Sequence, residues 1–174
     1  QLERIIRYAL DIGALERAEY WLQQPQWRED ERRYASLHNQ LLKHQGNIDQ
    51  LKQNLLADWQ RAPSACKLEA YWNYANEAER QAVAAQVHAQ AESLNDAAVA
   101  IEMLLFIDSV GPAAEHLIAR HAALSGVWYG TLLGWIERFK AAGQTLAGIV
   151  CYRLLLTDLL ERGYSKAYHH GARY

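Results

Sequence analysis

Apolar residues recur every three or four positions along almost the whole chain. At 3.6 residues per turn, this spacing places them along one side of an α-helix, whereas a half-buried strand would alternate polar and apolar residues. No segment alternates over a useful length, and Ala, Leu, Gln, Glu and Arg, which favour helices, are plentiful while Val and Ile are sparse. The clearest stripes are Leu2, Ile5, Ile6, Ala9 and Leu10; Ile48, Leu51, Leu55, Leu56 and Trp59; and Trp128, Leu132, Trp135, Ile136 and Phe139. We therefore predict an all-α protein.

Glycine and proline mark the ends of these stripes. The glycines that follow a stripe, and that we expect to adopt left-handed helix caps, are Gly13, Gly46, Gly143 and Gly163. The prolines that we expect to lie between helices are Pro25, Pro63 and Pro112. Because the connections are short, neighbouring helices should pack antiparallel, and about ten or eleven helices result.

The spacing after the turn residues repeats. Small or apolar residues stand five and nine positions after each turn, as in Gly13, Ala18, Leu22; Gly46, Leu51, Leu55; Asn95, Ala100, Leu104; and Gly143, Gly148, Tyr152. A proline follows at seventeen positions in two of the four, Pro63 and Pro112. A Gly or Asn would turn the chain between two helices, and the small residue one turn later would let those helices approach closely.

These offsets resemble the second half of the tetratricopeptide pattern. The Trp and the Leu-Gly pair of that pattern's first helix are missing, and the turns are 33, 49 and 48 residues apart instead of at one steady interval. The resemblance implies a degenerate α-solenoid made of antiparallel helix hairpins, and a bundle of such hairpins is the alternative. We expect residues 1–174 to form a single helical-repeat domain. The chain starts without Met and stops inside a periodic pattern, which is also compatible with a fragment of a longer protein.

The closing segment AGIVCYRLLLTDLLERGYSKAYHHGARY is similar to the end of an uncharacterised bacterial family of helical-repeat proteins. The residues that carry this likeness are Tyr152, Arg153, Leu160, Tyr164, Ser165, Lys166, Ala167, Tyr168, His170 and Tyr174. Some relatives in that family have a SWIM-type zinc segment upstream, but its cysteines and histidine are absent here, so no zinc role carries over. The family has no established activity, and the resemblance therefore implies a protein that is not an enzyme.

Charge and hydropathy narrow the classes of partner. The chain has 18 Lys and Arg against 20 Asp and Glu, so it lacks the basic surplus of nucleic-acid-binding proteins. The longest uncharged stretch, residues 122–136, is shorter than the roughly 20 residues that a membrane span needs. Cys66 and Cys151 lie far apart, and we favour two buried free thiols over a disulfide. These features predict a cytoplasmic protein that binds neither nucleic acid nor membranes.

Two features predict contacts with a protein or peptide. Gly126, Gly130 and Gly134 are spaced at four, so a helix through them would have a glycine groove that admits another backbone. Tight packing inside the fold is the alternative explanation of this groove. Trp27 stands in the polar segment QQPQWREDERR after Pro25, where an exposed indole would be available to a partner, although local packing is again the alternative.

The tail predicts an anion site. Lys166, His170 and Arg173 fall at plus four and plus seven on a helix, and such a row of donors could hold a phosphate or a carboxylate. An amphipathic terminal helix with a solvated basic side is the alternative. A rise in melting temperature with phosphate that Arg173→Ala abolishes would favour the anion site.

Catalytic, metal and cofactor patterns are not found in the sequence. His116 and His121 lie five apart, not in the i, i+4 arrangement of HExxH sites, and no glycine stands in a GxGxxG or P-loop setting. Glu102 interrupts an apolar helix, where we expect it to face a groove or meet a cation, but no second acid or base accompanies it. We thus predict a non-enzymatic helical-repeat scaffold without metal or cofactor. The alternatives are an anion-binding regulatory module and an enzyme whose site is split across helices.

Overall fold

The computed structural model describes residues 1–24 and 30–161, and all regular structure in these ranges is helical. The prediction of an all-α protein is therefore confirmed, with ten α-helices and one 3-10 helix in the described ranges. The helices are α1 Leu2–Asp11, α2 Leu15–Leu22, α3 Glu31–Gln45, α4 Ile48–Arg61, α5 Ala65–Trp72, α6 Glu77–Ser93, α7 Ala97–Phe106, α8 Val110–Arg120, α9 Tyr129–Ala141 and α10 Thr145–Glu161, with the 3-10 helix at His121–Leu124. Within these ranges, no helix combines the length and the apolar character that crossing a membrane requires.

Three of the predicted glycine turns close helix hairpins. Gly13, Gly46 and Gly143 have φ angles of 75°, 73° and 70°, the left-handed conformation that a side chain disfavours. In each case the N–H of the next residue donates to the carbonyl five positions earlier, from Ala14 to Ala9, Asn47 to Leu42 and Gln144 to Phe139, at 2.8–2.9 Å. This is the Schellman motif, which satisfies carbonyls at the end of a helix. Gly163 lies outside the described residues.

A fourth turn of the same kind lies at Asp108, and the sequence interpretation missed it. Asp108 has a φ of 61°, and the N–H of Ser109 donates to the carbonyl of Leu104 at 2.9 Å. The expectation that Pro112 separates two helices is wrong, because Pro112 is the third residue of α8. An N–H in the first turn of a helix has no intrahelical acceptor, so proline is tolerated there.

The offset of five positions corresponds to burial at all four of these turns, including Asp108, which was not predicted, and the offset of nine corresponds to burial at two. Five positions after each turn residue lies a buried residue, namely Ala18, Leu51, Ala113 and Gly148. Nine positions after Gly13 and Asp108 lie the buried Leu22 and Leu117. Asn95 lies in the connection between α6 and α7 as predicted, and Ala100 and Leu104, five and nine positions later, are buried, but the φ of Asn95 is not positive.

By their contacts, the described residues divide into two compact units. The first comprises residues 1–62 and 70–75, and the second comprises residues 63–69 and those from 76 onward, so the division falls within α5. The expectation of a single domain stays a prediction.

The core of the first unit forms where α1 packs on α2 and α3. Its buried members are Ile6, Ala9, Leu10, Ala18, Leu22, Leu37 and Leu41, and Leu2, Ala14, Leu15 and Trp21 pack against them. The helix α4 packs on α3, and the side chains of Asn54 and Asn39 join these two helices at 3.0 Å.

The second unit is built around α7, which packs against α6 and α8. Six of its ten residues are buried, namely Ala97, Ala100, Ile101, Met103, Leu104 and Leu105. Polar side chains cap the N-termini of α6 and α7. Asn76 and Glu79 form a capping box at the start of α6, and the Asp96 carboxylate accepts two N–H bonds at the start of α7. The helices α9 and α10 form the closing hairpin of the described chain.

Candidate functional site

The start of α9 displays two exposed aromatic rings. Trp128 and Tyr129 lie within the uncharged stretch 122–136, where Leu124, Leu132, Trp135 and Ile136 are buried. Trp128 is 67% exposed and Tyr129 is 58% exposed, and their ring centroids lie 5.1 Å apart in an edge-on arrangement. We refer to Trp128 and Tyr129 as the aromatic pair. An aromatic side chain offers a large apolar contact area, so the aromatic pair is the first candidate for a contact surface.

Gly130 determines where the Trp128 ring lies. A Cβ built on Gly130 would overlap the Cζ3 and Cη2 atoms of that ring and would lie 2.7 Å from Cε3. The indole thus rests directly against the Gly130 backbone, and only glycine leaves room for it in this position. The ring therefore contacts Gly130 on one side and Tyr129 on another, while two thirds of the side chain remains exposed.

The predicted groove through three glycines does not form. Gly126 has a φ of 88° and lies in the turn before α9, so it cannot share a helix face with the other two. Trp128, the residue that caps the helix, is extended with a ψ of 135°, and α9 begins only at Tyr129. Of the two glycines on α9, Gly130 is covered by Trp128, and Gly134 is exposed with nothing within 4 Å of a built Cβ.

The other predicted contact residues fall outside the described chain. Trp27 lies in the segment 25–29, and Lys166, His170 and Arg173 lie beyond residue 161. The contact at Trp27 and the anion site on the tail therefore stay predictions.

A polar pocket of about 360 Å³ lies where the end of α6 meets α8. Here His116 Nε2 lies 3.3 Å from Glu92 Oε1, and Arg120 Nη1 donates to the Leu94 carbonyl at 2.7 Å. Arg120 Nη2 donates in addition to the Asn95 carbonyl. The strongest donor of the pocket is thereby engaged with backbone carbonyls that follow α6, so Arg120 acts as a helix cap and not as a ligand-binding group.

Arg138 on α9 caps the preceding part of the fold in the same way. Its Nη2 donates to the Leu105 carbonyl at 2.8 Å and to Asp108 Oδ1 at 3.0 Å. The guanidinium thus neutralises the end of α7 and holds the left-handed Asp108. The sequence interpretation assigned no role to Arg120 or Arg138.

The cysteines differ in exposure. Cys151 is buried, as expected, and burial raises its pKa to about 12. Cys66 is exposed, so the expectation of two buried thiols is wrong for this residue. The buried side of α5 carries Leu68 and Tyr71, and Cys66 lies two positions from Leu68, which places it on the opposite side of the helix.

Glu102 is half-buried on α7 and has no hydrogen-bond or ion-pair partner among the residues that the structure describes. The expected cation is therefore not found in those residues. Burial raises the pKa of the Glu102 carboxyl, and the nearby charge of Asp96 raises this pKa further. Within the same ranges, no three His, Cys, Asp or Glu side chains are grouped so that they could hold a metal ion.

Glu102→Gln should stabilise the protein at neutral pH. Between the usual carboxyl pKa and the raised folded-state pKa, the folded protein binds more protons than the unfolded chain, so stability falls as pH rises through this window. The neutral amide removes that penalty. Melting temperatures from pH 4 to pH 8 should show a gain for the variant at pH 8 that shrinks toward pH 4. An equal gain at both ends of the range would contradict this account of Glu102.

The resemblance of the closing segment is neither supported nor refuted by comparison with known proteins. Of the residues that carry it, Tyr152, Arg153 and Leu160 lie in the described part of α10, and the rest lie beyond it. The resemblance to helical-repeat proteins stays a prediction, because no family model, no curated protein and no solved structure matches the chain.

Proposed function

We propose that this chain is a non-enzymatic helical-repeat scaffold, related in design to tetratricopeptide arrays, that binds a protein or a peptide. The positions of the left-handed turns support the repeat. Gly46 follows Gly13 by 33 positions and Gly143 follows Asp108 by 35, both close to the roughly 34 residues of a tetratricopeptide unit, whereas Asp108 follows Gly46 by 62. Counting from Asp108 in place of Asn95 shortens the last interval from 48 to 35 residues.

The aromatic pair is the single observation that carries the binding proposal. Trp and Tyr are enriched among the residues that contribute most to protein interfaces. A side chain that is already held in its bound orientation loses little conformational entropy when a partner arrives, and such loss otherwise costs about 0.5–1.5 kcal/mol per ordered side chain. Trp128 satisfies both conditions, because it is exposed and because Gly130 and Tyr129 fix its ring.

Two glycine substitutions on α9 separate the placement of the ring from the stability of the helix. Gly130→Ala should displace the Trp128 ring from the Gly130 backbone toward the solvent, while improving helix propensity by up to about 1 kcal/mol. Gly134→Ala makes the same chemical change where the added Cβ meets nothing. Neither variant should melt below the wild type. Near-UV circular dichroism should change for Gly130→Ala alone.

Binding is then tested with the wild type, Trp128→Ala, Gly130→Ala and Gly134→Ala immobilised in parallel, with the captured proteins quantified by mass spectrometry. We expect one set of proteins to be retained equally by the wild type and Gly134→Ala. Retention of that set should fall at least about tenfold for Trp128→Ala and Gly130→Ala, since loss of a central tryptophan commonly costs 2 kcal/mol or more. The same retention by all four proteins would refute the aromatic pair as the contact surface.

A further inference from the structure

The helix α1 has apolar residues on two sides. Ile6, Ala9 and Leu10 face the core of the first unit. Ile5 and Tyr8 on α1, and Ile12, which caps its end, are 40%, 65% and 56% exposed. Their spacing of three and four places them within about 60° of arc at 100° per residue, so they form one continuous exposed row. We call Ile5, Tyr8 and Ile12 the α1 stripe. A helix that is apolar on both sides is normally covered on both.

Two opposite charges flank the α1 stripe. Arg4 and Asp11 lie seven positions apart, so they share one side of the helix about 10.5 Å apart along its axis. Neither residue has an ion-pair or hydrogen-bond partner among residues 1–24 and 30–161. By contrast, the neighbouring Arg7 pairs with Glu3 at 2.9 Å within the helix.

The order of these two charges disfavours the isolated helix. Arg4 lies in the first turn of α1, and Asp11 is its last residue. The helix dipole is positive at the first turn and negative at the last, so each charge lies at the end that repels it, at a cost of typically 0.3–1 kcal/mol per charge. A partner that places a carboxylate beside Arg4 and a cation beside Asp11 would reverse this penalty.

We propose that the α1 stripe binds the α1 stripe of a second copy of this chain, with the two helices antiparallel about a two-fold axis. An isologous contact of this kind requires a surface that complements itself. The midpoint between Arg4 and Asp11 lies next to Tyr8, so an axis through that point places Arg4 of each copy opposite Asp11 of the other. Two ion pairs then flank a shared row of isoleucine and tyrosine. A parallel pairing would set like charges side by side.

The contact is small. Three partly exposed side chains cover much less than the roughly 800 Å² per partner of a standard interface, so the dimer is weak and self-association is expected at roughly 0.1 mM. The screening of exposed ion pairs by salt should weaken this association further at high ionic strength.

Sedimentation equilibrium of the whole chain from about 0.01 to 1 mM tests the proposal. Arg4→Glu and Asp11→Arg should each raise the dissociation constant of the dimer at least about tenfold, because each creates two like-charge contacts. The double variant Arg4→Glu/Asp11→Arg carries the charges in the opposite order and should return to within about threefold of the wild type. Arg153→Glu on α10 makes the same charge change away from α1 and should leave the dissociation constant unaltered.

Circular dichroism of each variant confirms that the helices are retained. A wild-type chain that stays monomeric across the whole range overturns the proposal. A dimer whose dissociation constant is unchanged by Arg4→Glu also overturns it, and so does a double variant whose dissociation constant does not return toward that of the wild type. Either outcome means that the contact lies elsewhere or that the helices pair differently.

Discussion

Trp59→Ala will destabilise the protein by about 3–5 kcal/mol, the range for deleting a large buried aromatic side chain. Trp59 lies on α4 and is fully buried. Among residues 1–24 and 30–161, its indole Nε1 has no hydrogen-bond partner. A buried donor without an acceptor costs about 1–3 kcal/mol, so Trp59→Phe removes that penalty along with part of the ring. We therefore expect the phenylalanine variant to lose less than about 1.5 kcal/mol.

Urea denaturation of the two Trp59 variants measures the difference. Trp128→Ala is the matched control, since it deletes the same side chain at an exposed position and should change the free energy of unfolding by no more than about 0.5 kcal/mol. If Trp59→Phe lowers the free energy of unfolding as much as Trp59→Ala does, the Nε1 group makes a hydrogen bond in the folded protein and this explanation fails.

The two thiols will differ in reaction rate with a disulfide reagent by more than about a thousandfold at pH 8. The thiolate is the reactive form, and an ordinary cysteine has a pKa near 8.5. Burial raises the pKa of Cys151 to about 12, so its thiolate is scarce, and the side chain is also closed to the reagent. Cys66 is exposed on α5. One fast equivalent should therefore react in the native protein, and the second should react only as the protein unfolds.

Absorbance during reaction with a chromogenic aromatic disulfide resolves the two phases. Cys66→Ser should abolish the fast phase and leave the slow one, and Cys151→Ser should do the reverse. Two fast phases in the native wild type would show that α10 opens on the timescale of the reaction, contrary to the packing of Cys151. The slow phase otherwise reports the opening of the second unit.

The sequence predicted the helices because their apolar periodicity is strong and their turns contain glycine. Gly13, Gly46 and Gly143 supply the left-handed conformation at no steric cost, so the position of each turn could be predicted from residue type. Asp108 adopts the same conformation with a side chain, and it is held there in part by Arg138, thirty positions away in the sequence. No local pattern encodes such a contact, so the sequence predicted the connection at Asn95 but not the left-handed turn at Asp108.

The candidate site was predicted only in part. Gly130 was singled out, but its role is to receive the Trp128 ring and not a partner's backbone. The periodicity placed Trp128 in an apolar stripe with Leu132 and Trp135, whereas the left-handed Gly126 starts the helix later and directs Trp128 outward. The sequence did contain one signal for this contact: Gly126 and Gly130 stand four positions apart, with Trp128 between them. The side on which the ring would lie depended on backbone angles that composition does not determine.

The two arginine caps have a consequence for folding during synthesis. Arg120 donates hydrogen bonds to carbonyls that lie 26 and 25 residues earlier in the sequence, and Arg138 donates to a carbonyl 33 residues earlier. As the chain leaves the ribosome, the final turns of α6 and α7 therefore emerge well before the guanidinium groups that complete them. Until then the carbonyls at those two helix ends are hydrated, and they gain their guanidinium donors only after α8 and α9 have been translated.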